Sequence, residues 1–427
     1  MNRVMLKMYY SKSDFLFKTK RHYRNIRQRG GKDDQFEGLV RLLNTPKPNV
    51  LMLDLQCTLT SEQIRLLLLK TPELQQVSFS SIAHNGETNG PFPVLAKLKS
   101  LGLDNSISDQ IDFFRTSMPN LQSLHMFCET GFELETWKRL SGQLKLVHVH
   151  NFNTNYVYSF LEITFPLLED LAMGLYSHIY EGSRDFFQRH PFLRKLSLCG
   201  TIPLEWVTSF SRHCPELSHL DLFLEEPEDG YLQSLVQLTK LTHLSLEGEV
   251  HGEIFRGAIK SLEFVELNVK YPRFLYEDLP RVAPRLNGLK LKIADCEFYV
   301  IELICKWFSR LQHLEVEMGF VPEMEDYERC ERLVDLEEHE LWRNCGFHYT
   351  QHSNVRCLTM LGCSLTDADL NEIPEMFPSL KRLTIARGLS LDPVSDSAFE
   401  RMHKLMPSCR IDYDDERFYP IGDSASN

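Results

Sequence analysis

Apolar residues recur along this chain in a fixed triplet. The first member is followed three positions later by a second and two positions after that by a third, as in Val355, Leu358 and Met360 or Leu380, Leu383 and Ile385. The readable first members are Val50, Leu74, Leu98, Leu121, Leu144, Leu168, Leu193, Leu217, Leu241, Leu262, Leu286, Leu311, Val355 and Leu380. Neighbouring anchors stand 21 to 25 residues apart, except for one step of 44 between Leu311 and Val355. A strand turns alternate side chains to opposite faces, so the second and third members share one face of a short strand. The remainder of each step carries apolar residues at helical spacing, such as Ile64, Leu67 and Leu68 or Trp206, Val207 and Phe210. One strand and one helix per unit is the pattern of a leucine-rich repeat. No unit can bury its apolar edge alone, so the units must stack. The expected fold is an α/β leucine-rich-repeat solenoid, a horseshoe of about fourteen to sixteen units. Its parallel β-sheet lines the concave face and its helices the convex face.

Proline marks the joints. It stands two residues before the anchor at Pro48, Pro72, Pro119, Pro166, Pro191, Pro215, Pro284 and Pro378. Proline ends a helix and pushes its predecessor to extended geometry, so it is expected to start each strand. Cys57, Cys128, Cys199 and Cys363 lie just after strands, near where such repeats turn an Asn or Cys inward. The whole chain reads as one repeat domain: degenerate first repeats over 1–49, regular repeats over 50–316, an irregular stretch over 317–352, last repeats over 353–411 and a polar tail over 412–427. Tyr23 and Ile26 form a degenerate anchor pair, and Val4, Leu6 and Met8 an earlier strand. With the chain starting on a bare strand, a capping segment is expected upstream of Met1.

Two stretches break the pattern. Lys18–Lys32 is rich in Lys and Arg and holds no acid. It reads either as an anion-binding or nuclear-targeting patch or as a solvated turn and edge strand. Glu323–Arg343 carries nine acids against three arginines, with Leu333, Leu336, Leu341 and Trp342 as a single apolar stripe. It reads as a helix, either in an insertion or in a hidden degenerate repeat.

The repeat register also places the residues between the leucines. On strands about 4.8 Å apart, His219 and His243 become neighbours, with Asp221 beside them and Phe223, Glu247, Phe264 and Glu266 close by. His313 lies further along the same row. Imidazoles, carboxylates and aromatics in one patch admit three readings: a metal or general-base site, a partner-binding surface, or the ordinary polar filler of a solvated sheet.

Composition narrows the function class. The formal net charge is −12, which disfavours nonspecific nucleic-acid binding and docking on anionic membranes. No stretch reaches the ~18 apolar residues of a membrane span, and the first residues lack the apolar core of a signal peptide. Eleven cysteines with no C-x-x-C pair fit reduced thiols in the cytoplasm or nucleus. Phosphate-loop, dinucleotide, nucleophile-elbow and zinc-protease motifs are all missing. The expectation is a binding protein, not an enzyme, with no cofactor and no metal.

The run LTMLGCSLTDADL (358–370) and the following MFPSLKRLTI (376–385) resemble the cysteine-containing leucine-rich repeats of F-box proteins. VMLKMYYSKSDFLFKTKRHYRNI (4–26) is similar to the segment that follows the F-box in insect-type members. The resemblance implies a substrate receptor of a Skp–cullin–F-box ubiquitin ligase, holding a protein substrate on the concave face. The F-box itself, with its L-P-x-E opening and C-x-x-W close, is not in this sequence. A Skp-type adaptor is therefore expected as a partner only if an F-box lies upstream. The rival readings are a stand-alone scaffold or inhibitor and a GTPase regulator.

Overall fold

The computed structural model describes residues 25–29, 50–83, 90–104, 118–127, 134–150, 154–175, 185–200, 202–224, 230–248, 254–269, 279–293, 298–318, 351–363, 365–386 and 394–414. They fall into two units, Met1–Leu217 and Ser218–Asn427.

The first unit carries strands β1 (Asn25–Arg29), β2 (Met52–Thr60), β3 (Gln76–Ala83), β4 (Ser100–Asp104), β5 (Ser123–Phe127), β6 (Leu146–His150), β7 (Asp170–Leu175) and β8 (Lys195–Gly200). Each pairs in parallel with the next in chain order. The second unit repeats the plan with β9 (His219–Leu224), β10 (His243–Gly248), β11 (Phe264–Val269), β12 (Gly288–Ile293), β13 (His313–Met318), β14 (Cys357–Leu361), β15 (Arg382–Ala386) and β16 (Arg410–Asp414). These too are parallel and sequential. Parallel pairing in chain order, with a return after every strand, is the leucine-rich-repeat solenoid that the triplets require.

The triplet residues form the core. Every anchor from Val50 to Leu380 is 6% exposed or less, and the second and third leucines behave alike. A closed turn sets up each strand. The Leu74 N–H donates to Thr71 O at 3.1 Å across Pro72-Glu73, and the same bond recurs from Leu121 to Met118, Leu168 to Phe165, Leu217 to Cys214 and Leu380 to Phe377. Proline occupies the second turn position, where its fixed φ is already correct. The next two N–H groups share one carbonyl of the preceding unit: Gln75 and Gln76 both donate to Leu51 O, and Lys99 and Ser100 to Gln75 O.

The returns pack on one side of the sheet. They include α1 (Ser61–Lys70), α2 (Leu134–Ser141), α3 (Thr154–Leu161), α4 (Leu204–His213), α5 (Leu279–Val282), α6 (Phe298–Trp307), α7 (Asp367–Met376) and α8 (Asp396–Leu405). A helix in every unit is not what the structure holds. Two returns are single 3₁₀ turns, Phe187–Arg189 and Gln233–Gln237. Just ahead of the second, Gly230 lies at φ +75°, outside helical geometry. Caps fix the longer helices. Thr60 and Gln63 form a reciprocal capping box on α1, and Thr366 and Asp369 another on α7. Asp367 then accepts from the backbone N–H and hydroxyl of Ser395, at 2.8 and 2.6 Å, and Ser395 itself caps α8. Those two bonds hold the Asp367 carboxyl below its ordinary pKa.

Behind the first sheet lies a row of aromatic rings. Trp137 meets Phe160 edge-on at 5.0 Å, Phe160 lies 5.8 Å from Phe186, and Phe187 contacts both Trp206 and Phe210 at 5.4 and 5.5 Å. All are fully buried. His190 is embedded among them, 2% exposed. Its Nδ1–H donates to Phe186 O at 2.6 Å, and its Nε2 accepts from the Phe165 N–H at 2.9 Å. The ring therefore bridges two consecutive units as a neutral tautomer, and burial pushes its pKa down to about 4.

Two details depart from expectation. Cys199 is half-exposed, because it sits three residues past Leu196 at a position where the strand still faces solvent; Cys363, five past Leu358, has turned inward and is buried. The tail does not begin at Asp412, since β16 continues to Asp414. Only part of the basic stretch 18–32 is described, and there Asn25–Arg29 is a strand with Ile26 beside Leu53, matching the Tyr23–Ile26 anchor pair. Tyr23 itself, residues 4–8, the acidic run 323–343 and residues 415–427 lie outside the described residues, as do the side chains of Cys57 and Cys128. Among the described residues no helix is long and apolar enough to cross a membrane.

Candidate functional site

The open face of the second unit is built by strand register. His219 pairs with His243, and His243 with Phe264. Asp221 lies beside Ser245, which lies beside Glu266, and Phe223 lies beside Glu247. These residues alternate with buried leucines, so the strands hold their side chains out of the core.

Three rings stack in one line. The His219 and His243 imidazoles are 4.2 Å apart and 11° from parallel. The Phe264 ring follows at 5.5 Å and 30°. Gly288 comes next, and a Cβ there would stand 2.5 Å from Phe264 Cδ2. The missing side chain is what lets the phenyl ring lean over the neighbouring strand. His313 lies beyond Gly288, exposed and outside the stack.

Hydroxyls orient the two imidazoles. His219 Nδ1 lies 2.9 Å from Ser218 Oγ, and His243 Nδ1 lies 2.9 Å from Thr242 Oγ1. Thr242 Oγ1 also lies 3.2 Å from Ser218 O. Ser218 O accepts from the Thr242 and His243 N–H groups as well, both at 3.0 Å, so the hydroxyl is shared between that carbonyl and the imidazole.

Charge surrounds the rings. Lys290 bonds Glu266 at 2.8 Å and lies 3.7 Å from Glu315, and these carboxylates, with the Glu266 bond foremost, raise its pKa. Lys292 lies 3.6 Å from Glu317, and Asn268 donates to Glu247 at 2.9 Å. Over β9–β13 the described open-face carboxylates are Asp221, Glu247, Glu266, Glu315 and Glu317, against Lys290 and Lys292.

The first unit holds a second cluster, which the sequence-derived candidates omit. His148 Nε2–H donates to Asp170 Oδ1 at 3.0 Å. His125 meets His148 edge-on at 4.8 Å, and Phe127, 45% exposed, lies 5.9 Å from His150. Burial, followed by the neighbouring His148, lowers the pKa of both His125 and His150. Register alone puts Asp170 beside Leu146 and His148 beside Ala172, so the ion pair is a diagonal contact across the pleat.

Neither cluster gathers a metal site: among the described residues no group of three or more His, Cys, Asp or Glu could hold an ion. Cys214 is buried, with its thiol pushed up to about 12 by desolvation, which suits packing and not nucleophilic attack.

No protein-family model matches the chain, and no curated protein matches it. Among solved structures, the chain is similar to one from the mouse RP105/MD-1 complex, at 13% identity, covering 81% of this chain and 71% of that one with a TM-score of 0.33.

Proposed function

We propose that this chain is a protein-recognition module that reads its partner on the open face of the second unit. The partner would contact His219, Asp221, Phe223, His243, Glu247, Phe264, Glu266 and His313. The observation that supports this is the His219–His243–Phe264 stack. Aromatic rings held at fixed angles on a rigid sheet, within a polar rim, have the composition of an interface centre. Such a surface binds without a catalytic step, and the reading includes no enzyme activity, metal or cofactor. The decisive variant is His243→Ala/Phe264→Ala. It should abolish binding to a partner selected on the wild-type chain while leaving the unfolding midpoint within error. Retained binding would contradict the reading.

The finer reading is a substrate receptor of a ubiquitin ligase acting in the cytoplasm or nucleus. It rests on the cysteine-containing repeats at 353–386 and the N-terminal segment described above. Expression from the intact locus, followed by affinity purification, tests it. A Skp-type adaptor and a cullin should co-purify; their absence would leave a free-standing recognition module.

A further inference from the structure

We infer that the last strands of the second unit, β14–β16, carry a binding site of their own, an arginine pair that takes a carboxylate side chain of the partner protein. This rests on the protein-recognition reading above and adds an acidic residue to the partner it describes.

Register builds the site. Cys357, Arg382 and Arg410 lie side by side in one row across β14, β15 and β16, and Thr359, Thr384 and Asp412 in the next. These positions alternate with buried Leu358, Met360, Leu383 and Ile385, so they stand on the open face. One carboxylate holds both guanidiniums. Arg410 Nε–H donates to Asp412 Oδ1 at 3.0 Å, and Arg382 Nε lies 3.4 Å from Asp412 Oδ2.

That arrangement leaves donors over. A pair that serves only the fold needs one cation for one anion, whereas here two share a single carboxylate. Both are held by the Nε edge, and their side chains remain 57% and 72% exposed. Among the described residues no Nη group of Arg382 or Arg410 makes a hydrogen bond, and neither do the half-buried hydroxyls of Thr359 and Thr384. Paired Nη donors match the two coplanar oxygens of a carboxylate, which the compact ammonium of lysine does not. Hydroxyls between the leucines add donors at the same level of the sheet.

Charge selects the ligand. Arg382 and Arg410 against Asp412 leave the site at +1. Exposed Arg356 and Lys381, just ahead of the strands, extend the positive field. Glu315 lies beside Thr359, but its carboxylate is 3.7 Å from Lys290 on the opposite side. A monoanionic carboxylate balances the site. A phosphate, with its charge near −2, exceeds that balance and meets Asp412 as a like charge.

The test is selection of random short peptides on the full chain, with Arg382→Gln/Arg410→Gln as counter-selection. The expected peptides carry Asp or Glu, are lost on the variant and bind more weakly in added salt. For the best of them, Arg382→Gln/Arg410→Gln should weaken binding roughly tenfold or more. Replacing the peptide's acid by its amide should cost as much on the wild-type chain and nothing further on the variant. Exchanging that acid for phosphoserine should weaken binding, and tighter binding would overturn the assignment to a carboxylate. Circular dichroism and an unchanged unfolding midpoint show that the variant is folded. Peptides that need His243 and Phe264 but ignore the arginine variant would overturn the inference and leave the recognition reading standing. A selection that yields no peptide dependent on either pair would overturn both.

Discussion

The two histidine clusters use the same residue on the same face of the same kind of sheet, to different ends. In the first unit the rings meet edge-on and His148 is tied to Asp170. That bond ties the cluster together internally. In the second unit the rings are parallel, and each Nδ1 is anchored by a neighbouring hydroxyl. Residue type at an open strand position therefore does not decide function. Where the hydrogen bonds go decides it.

The aromatics offer a second contrast. The Trp137–Phe210 row is buried behind the first sheet, whereas Phe264 and Phe223 stand half-buried on the open face of the second, as Phe127 stands exposed on that of the first. Truncation should expose that contrast most strongly. Phe187→Ala removes a fully buried ring with aromatic neighbours on both sides and should cost about 3–5 kcal/mol. Phe264→Ala should cost less than about 1 kcal/mol. Urea unfolding of the two variants measures both, and equal losses would erase the distinction between packing rings and presenting rings.

Acid offers the next largest separation. His190 protonates at about 4 in the fold and at its ordinary 6.5 when unfolded. Its depressed pKa contributes stability that is complete above pH 6.5 and is lost as pH falls toward 4, up to about 3 kcal/mol. His190→Gln should flatten the slope of stability against pH in this window, measured as unfolding midpoints between about pH 4 and 7.

Backbone strain comes next. Gly248 ends β10 at φ +109°, and a Cβ there would lie 2.1 Å from Leu224 O. Gly248→Ala should destabilise by roughly 1–3 kcal/mol, visible as a lower unfolding midpoint. The smallest effect belongs to the half-exposed His148–Asp170 pair. Asp170→Asn should change stability by less than about 1 kcal/mol, and double-mutant cycles with His148→Ala would measure the coupling.

Much of this was legible in the sequence. A strand whose side chains alternate, repeated at near-constant intervals, leaves one consistent register. Val50 to Leu380 accordingly lie in the core, and His219, His243 and Phe264 align as the spacing requires. Spacing is silent on contacts that leave the register. The diagonal His148–Asp170 pair and the edge-on or parallel choice of ring packing both depend on rotamers and neighbouring hydroxyls. The returns were the least legible part. Their apolar residues fit a helix or a 3₁₀ turn equally well. In the sequence nothing but Pro191 beside it distinguishes His190, and only its bonds to Phe165 and Phe186 explain its burial.

The central claim is that recognition belongs to the outward-facing stack and not to the internally tied cluster. Its most direct test compares the affinity of one selected partner peptide for two folded variants, His219→Ala/His243→Ala and His125→Ala/His148→Ala. The account predicts a loss of roughly tenfold or more for the first and a change within about twofold for the second. A partner that ignores the first pair and is lost with the second would contradict it.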